Sequence, residues 1–380
     1  MRSSTLVRRL AIGLGSLVLL LLVALLAVGW YYADLILDGA LVVKDEPDKH
    51  DVEVIAVGGG RITLRSTTGE DIAGEPGTIG LAWPGGYARA GSTLSSTEDT
   101  VTREYVPLEG GLQVGDLVRF DESAFPGDPE RAHGIAFDAA TFAAPLGELA
   151  AWQVDGADDT WAVFVHGKGS DRRETLRMMP VMVDAGLPSL AITYRNDPGA
   201  PADPSSYYEY GRTEWEDLEA AVEYALAEGA ADVVLVGYSM GGGIVASFLT
   251  RSPLAGRVAG AILDSPMLDL GSTIDLRAEQ RGLPGFLTSI AKVITSLRFD
   301  VDWEALDYVS RADELSVPIL LFHSDGDESV PQRTSDALAE ARPDLVTYEA
   351  FDGAAHVKSW NADPERYEEA VAAFLERVAR

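Results

Sequence analysis

Cysteine is absent from this 380-residue sequence, which excludes disulfides, thiolate metal sites and a cysteine nucleophile. Basic residues are scarce, since 30 Lys and Arg stand against 60 Asp and Glu and the formal net charge is −30. A surface so rich in negative charge repels nucleic acid, and we therefore predict no nucleic-acid partner. The five histidines form no His-Glu-x-x-His or similar pattern, so we predict neither a metal nor a cofactor.

Long apolar runs are also rare, because residues 10–32 are the only stretch long and apolar enough to cross a bilayer. Three arginines precede this run and two aspartates follow it closely. By the positive-inside rule, residues 1–9 lie in the cytoplasm and everything after the run lies outside. The rival interpretation is a signal peptide cleaved after the small residues 27–29, which would release a secreted protein. The run exceeds the usual apolar core of a signal peptide, so we predict an uncleaved, single-pass signal anchor in the cell membrane.

Three segments with different patterning follow the apolar run. Residues 33–49 have no periodicity, which is typical of a tether. Residues 50–132 alternate apolar and polar side chains between glycine-rich turns, which predicts a small β-rich accessory domain. Strand and helix patterns alternate over residues 133–380, which predicts an α/β domain with a mostly parallel eight-stranded sheet and helices on both faces. The candidate strands are 135–142, 149–154, 161–165, 189–194, 232–236, 258–263, 319–322 and 346–351.

A serine stands between a strand pattern and a helical pattern in the α/β segment. Gly237, Ser239 and Gly241 form a Gly-x-Ser-x-Gly motif at this point. A tight strand-to-helix turn excludes bulky side chains two positions before and two positions after the serine, and the two glycines meet this requirement. The helix N-terminus favours negative charge that develops on a reacting carbonyl oxygen. Ser239 is therefore the predicted catalytic nucleophile.

A serine hydroxyl needs a base to activate it, and the base needs an acid to orient it. His356 is the predicted base, because it lies in a loop between the last candidate strand and the final helix. Asp327 is the predicted acid, because it lies in the loop that follows the preceding candidate strand. Asp264 ends the strand before that and remains the alternative acid.

These motifs resemble the α/β-hydrolase superfamily, and the region from about residue 134 to the C-terminus looks closest to a bacterial group of serine aminopeptidase-like and monoacylglycerol-lipase-like enzymes. His166 and Gly167, after the third candidate strand, resemble the His-Gly oxyanion loop of that family. The resemblance implies that the backbone N–H groups of Lys168 and Met240 hold the oxyanion. It does not extend to the apolar run or to the β-rich segment.

The motifs together predict a serine hydrolase that cleaves carboxylic esters through an acyl-enzyme on Ser239. A peptidase or thioesterase of the same fold remains an alternative, so the expected substrate is a small-molecule ester, a lipid or a peptide. A surface interaction protein on a hydrolase scaffold is the non-enzymatic alternative, although a scaffold would be free to lose one of the three residues.

Two expectations concern the surroundings of Ser239. An amphipathic helical pattern over residues 286–297 predicts either a cap above the serine or a helix packed on the sheet. Neither the predicted sheet nor the three candidate residues use the chain before residue 38. We therefore expect a protein without that segment to be soluble and active.

Overall fold

The computed structural model describes residues 2–44, 49–69, 72 and 77–379, with side chains from residue 11 onward. Helix α1 spans Arg2–Ile36, and a π-helical turn over Leu37–Leu41 continues it. Within the described residues, this is the one helix long and apolar enough to cross a membrane, a property that signal sequences share.

The segment predicted as a tether, residues 33–49, differs from that prediction in its first half. Helix α1 extends into it, and Ala40 and Leu41 are buried against the α/β domain. Burial of these apolar side chains stabilises the contact, so the first half of the segment is packed rather than free. Residues 45–48 of the predicted tether lie outside the described residues.

A closed six-stranded antiparallel barrel follows, which confirms the small β-rich domain of the predicted fold class. Side chains alternate between interior and solvent along its strands, and each strand contributes Val, Ile, Leu or Ala to the interior. The side-chain amide of Asn361 in the α/β domain donates to the carbonyl oxygens of Thr78 (2.6 Å) and Glu122 (3.1 Å) of the barrel. The strands are β1 (Val52–Gly58), β2 (Arg61–Ser66), β3 (Ile79–Trp83), β4 (Gly86–Ser96), β5 (Val101–Glu109) and β6 (Leu117–Asp121), paired in the order β1-β2-β5-β4-β3-β6.

An eight-stranded sheet forms the centre of the α/β domain, as predicted. Its strands are β7 (Asp138–Ala144), β8 (Gly147–Val154), β9 (Thr160–Val165), β10 (Ser189–Ile192), β11 (Asp232–Tyr238), β12 (Val258–Asp264), β13 (Ile319–Ser324) and β14 (Val346–Phe351). They pair in the order β14-β13-β12-β11-β9-β10-β8-β7. Neighbours from β14 to β10 are parallel, whereas β8 is antiparallel to both β10 and β7. The carboxyl ends of β11, β12 and β13 therefore meet at one edge of the sheet.

Helices cover both faces of this sheet, and a separate apolar core lies under each layer. Helices α6 and α7 form an insertion between β12 and β13, and α7 packs along α1. The helices are α2 (Pro129–His133), α3 (Met179–Asp184), α4 (Trp215–Ala227), α5 (Met240–Arg251), α6 (Leu270–Gln280), α7 (Gly285–Phe299), α8 (Arg333–Ala341), α9 (Ser359–Ala362) and α10 (Pro364–Val378).

Candidate active site

Ser239 occupies a strained turn between strand β11 and helix α5, with φ 49° and ψ −116°. A Cβ atom on Gly237 would lie 2.6 Å from the carbonyl oxygen of Gly241, and a Cβ on Gly241 would collide with the carbonyl oxygen of Val165. Only glycine fits at these two positions, because the backbone of the turn approaches itself and the neighbouring strand so closely. The turn thus exposes the serine hydroxyl at the carboxyl edge of the sheet.

The structure brings Ser239, His356 and Asp327 together. The Ser239 Oγ lies 2.8 Å from His356 Nε2, and His356 Nδ1 lies 2.7 Å from Asp327 Oδ2. The other carboxylate oxygen, Asp327 Oδ1, accepts the backbone N–H groups of Ser329 (2.8 Å) and Val330 (2.9 Å). This arrangement can remove a proton from the serine hydroxyl and stabilise the resulting imidazolium.

The Asp327 carboxylate is buried, and burial alone would raise its pKa. Hydrogen bonds from His323 and His356 outweigh that effect and hold the pKa of Asp327 well below its usual range. The second histidine, His323, places its Nε2 3.2 Å from Asp327 Oδ2. Asp327 is therefore ionised at neutral pH and can orient His356.

Asp264, the alternative acid, has different partners. Its Oδ2 accepts the hydroxyl of Tyr367 at 3.0 Å, and its Oδ1 lies 3.3 Å from Ser265 Oγ. Burial raises the pKa of Asp264, and its backbone carbonyl accepts the N–H of Ser239 at 2.9 Å. Asp264 thus supports the backbone of the turn, while Asp327 holds the imidazole.

The loop that carries Lys168 lies beside the serine, since a Cβ on Gly167 would sit 3.2 Å from Ser239 Cβ. Across the described part of the chain, neither the backbone N–H of Lys168 nor that of Met240 has a backbone acceptor. Both groups are therefore available to a negatively charged oxygen near Ser239. The Lys168 side chain points elsewhere, because its Nζ donates to the carbonyl oxygens of Gly39 and Ala40 at 2.9 Å each.

A buried ion pair that the sequence analysis did not identify holds this loop. His166 Nε2 lies 2.8 Å from Asp197 Oδ2, and His166 stacks on Tyr194 with ring centroids 4.5 Å apart. Burial opposes the charge on His166, but the Asp197 carboxylate and the Gly167 carbonyl raise its pKa to about 9. The His-Gly motif was the available signal, but nothing in the motif indicates its partner 31 residues later.

A cavity of about 370 Å³ lies over Ser239 and His356, which is within the size range of small-molecule sites. Helices α6 and α7 supply part of its wall, so the insertion forms a cap, the first of the two predicted alternatives. The end of α1 and the turn after it supply another part. The lining residues from this N-terminal segment are Tyr32, Leu35, Ile36, Gly39 and Ala40. The sheet and the three candidate residues use no part of the chain before residue 38, as expected, but the wall of the cavity does use it.

Comparison with known proteins identifies the family of the α/β domain. A family model described as the alpha/beta hydrolase family matches residues 162–370, more than half of the chain. A second model, described as a domain of unknown function, matches residues 53–121, which form the barrel. No curated protein matches the sequence.

Solved structures share the fold at low identity. An esterase of Pyrococcus furiosus is 19% identical with a TM-score of 0.54, and the match covers 67% of this chain and 98% of the esterase. An alpha-beta hydrolase of Vibrio vulnificus is 20% identical with a TM-score of 0.50, and the match covers 62% of this chain and 80% of that protein. These likenesses concern the three-dimensional fold.

Proposed function

The chain belongs to the alpha/beta hydrolase family, and from this premise we propose that it is a serine hydrolase that cleaves carboxylic esters through an acyl-enzyme on Ser239. The observation that carries the proposal is the continuous hydrogen-bonded series from Ser239 Oγ through His356 to Asp327, with distances of 2.8 and 2.7 Å. Such a series gives an otherwise weak nucleophile a base within reach and gives that base a fixed orientation.

The proposed reaction has two halves. His356 Nε2 takes the proton of the Ser239 hydroxyl as Oγ bonds to the ester carbonyl carbon, and the N–H groups of Lys168 and Met240 stabilise the oxyanion. The carbon–oxygen bond to the alcohol then breaks, and His356 returns the proton to the leaving alcohol. Water attacks the acyl-enzyme with His356 again as base, which releases the acid and restores the serine.

The cavity supports an ester in preference to a peptide. Its wall includes the apolar side chains of Leu35, Ile36, Leu270, Ile274 and Leu283, which suit an acyl chain. The Pyrococcus furiosus protein of similar fold is itself described as an esterase. We propose on these grounds that ester cleavage is the principal activity, with thioester or amide cleavage as the competing outcome of the test.

A fluorophosphonate probe on the full-length protein tests the serine chemistry. We expect one labelled site, Ser239, and a burst of p-nitrophenol with p-nitrophenyl butyrate as the acyl-enzyme forms. Ser239→Ala should abolish both signals, because the attacking oxygen is gone. Ser289→Ala, which removes a serine hydroxyl from α7 outside the cavity lining, should label like the wild type. Full labelling of Ser239→Ala would refute the proposal, and faster turnover of aminoacyl amides than of esters would reassign the substrate.

A further inference from the structure

The last turns of α1 form one wall of the cavity that contains Ser239. Tyr32, Leu35 and Ile36 line this cavity together with the serine and His356. Residues 10–33 carry no charged side chain. At 1.5 Å per residue, this part of the helix is about 36 Å long, whereas the hydrocarbon core of a bilayer is about 30 Å thick. If α1 crosses a membrane, the cavity therefore lies directly at its surface.

Helix α7 lies beside this end of α1. Gly29 is packed so closely that an added Cβ would lie 2.5 Å from Ile290 Cγ2. The guanidinium of Arg298 lies 3.7 Å from the ring centroid of Trp30 and donates to Asp34 at 2.6 Å. These three contacts place α7 at the depth where the apolar part of α1 ends.

The outer face of α7 is apolar and exposed. Phe286, Val293 and Leu297 are 60%, 60% and 82% exposed. Their spacings of seven and four residues put them on one side of the helix. Helix α7 packs along α1, whose apolar side chains are also exposed, so the bilayer that would receive α1 is the occupant that fits the apolar face of α7.

The cavity carries positive charge in a strongly acidic protein. Its basic lining residues are Lys168, Arg277 and Arg281, and no Asp or Glu is among the described residues that line it. The Lys168 ammonium already donates to the carbonyl oxygens of Gly39 and Ala40, so the two arginines are the cations that face a ligand. The chain as a whole has a formal net charge of −30. This local reversal of sign favours a ligand with a negatively charged group.

We propose that the site takes its substrate from the membrane, and that this substrate is a single-chain fatty-acyl ester with an anionic head group. The acyl chain lies against the end of α1 and the cap helices, and the head group is held by Arg277 and Arg281. The proposal rests on the ester hydrolysis proposed above for the same site. It adds the substrate class and gives the end of the anchor a specificity-determining role.

The kinetic test uses the full chain in phosphatidylcholine nanodiscs. Monopalmitoylglycerol phosphate and monopalmitoylglycerol differ only in the anionic group, and we expect kcat/KM to be at least tenfold higher for the phosphate. The double variant Arg277→Gln, Arg281→Gln should reduce this preference at least tenfold, because both positive charges are removed. Equal kcat/KM values for the two esters in the wild type would overturn the head-group assignment.

Substitutions in α1 test the wall. Leu35→Trp should lower kcat/KM for monopalmitoylglycerol phosphate at least tenfold relative to p-nitrophenyl butyrate, because the larger ring fills the cavity. Leu26→Trp is the matched control, since Leu26 is exposed on the same helix and outside the cavity lining, and its ratio should equal that of the wild type. If Leu35→Trp does not fold, Ile36→Ala is the second wall variant. It removes bulk from the wall and should shift the same ratio of kcat/KM values at least threefold. Unchanged ratios in both wall variants would refute the role of α1.

A binding measurement separates this inference from the catalytic one. Ser239→Ala in nanodiscs is irradiated with a hexadecyl phosphate that carries a photoreactive diazirine near its chain end. Adducts should fall on residues 32–40 and on α6 and α7, with at least fivefold lower yield in the double arginine variant. Adducts spread evenly over residues 11–28 would refute the inference even if the wild type cleaves esters. Adducts in the cavity without any ester cleavage would support the binding site and refute the hydrolase proposal.

Discussion

Replacing Asp327 with Asn should disable the enzyme without removing its fold, for a reason specific to this loop. The Asp327 Oδ1 atom already accepts the backbone N–H groups of Ser329 and Val330. An asparagine keeps its carbonyl oxygen in that position, because an amide NH2 cannot accept those donors. Its NH2 group is then directed at His356 Nδ1, where the carboxylate lay at 2.7 Å.

The consequence for His356 is the wrong tautomer. A donor opposite Nδ1 requires an unprotonated Nδ1, so the ring proton moves to Nε2, the atom that should accept the proton of Ser239. In Ser-His-Asp hydrolases this exchange lowers kcat by about 10⁴, which corresponds to about 5 kcal/mol of transition-state stabilisation. We expect a loss of 10³ to 10⁴ in kcat, on the order of 4 to 5 kcal/mol, with kcat/KM falling in parallel.

The assay is p-nitrophenyl butyrate hydrolysis at neutral pH, with thermal unfolding as the check on the fold. Asp264→Asn is the matched control, because it removes the same charge from the other candidate acid. It should cost about 1 to 3 kcal/mol of stability through the weakened Tyr367 hydrogen bond and less than about tenfold in activity. An Asp327→Asn enzyme within tenfold of the wild type, beside a severely impaired Asp264→Asn enzyme, would move the acid to Asp264.

Two further predictions concern the predicted anchor and the ion pair under the loop that carries Lys168. The intact protein should stay in the membrane pellet after a high-salt wash, and protease added to spheroplasts should digest its C-terminal part; a mature N-terminus near Trp30 would instead show a cleaved signal peptide. Burial lowers the pKa of His166, but Asp197 outweighs this effect and raises that pKa from 6.5 to about 9. The ion pair should therefore add up to about 3 kcal/mol to the free energy of unfolding below pH 6.5, and this contribution should be lost as the pH rises through 9. The thermal midpoint of Asp197→Asn should therefore vary less over that window than that of the wild type, and parallel curves would contradict the assignment.

The sheet could be predicted from sequence because its central strands are largely continuous apolar runs. Strands buried on both faces, such as β9 and β13, have a composition that a parallel sheet requires. Strand β7 is less well defined, since it lies at an edge and begins at Asp138 instead of residue 135. Edge strands are only partly buried, so the pattern of apolar and polar side chains does not show clearly where such a strand begins and ends.

The candidate site was predictable where local geometry limits the residue type. Gly237 and Gly241 have no room for a Cβ, so the motif around Ser239 carries its own structural requirement. Asp197 has no such local signal. Its contact with His166 forms because the loops after β9 and β10 meet in the folded protein. No local sequence pattern indicates that these two loops are neighbours.

The boundary between the predicted anchor and the α/β domain could not be located from sequence, because hydropathy measures only the transfer of an apolar run out of water. That transfer is favourable whether the last turns of the run face lipid or protein. Leu35 and Ile36 line a cavity with residues more than 200 positions further along the chain, and their composition does not distinguish this surrounding from a bilayer. One helix can therefore complete a membrane span and enclose a site without any change in sequence pattern. We expect a protein cut at residue 38 to lose both the predicted membrane span and the enclosed cavity, since the cut removes Tyr32, Leu35 and Ile36 from the cavity wall where the acyl chain is proposed to lie.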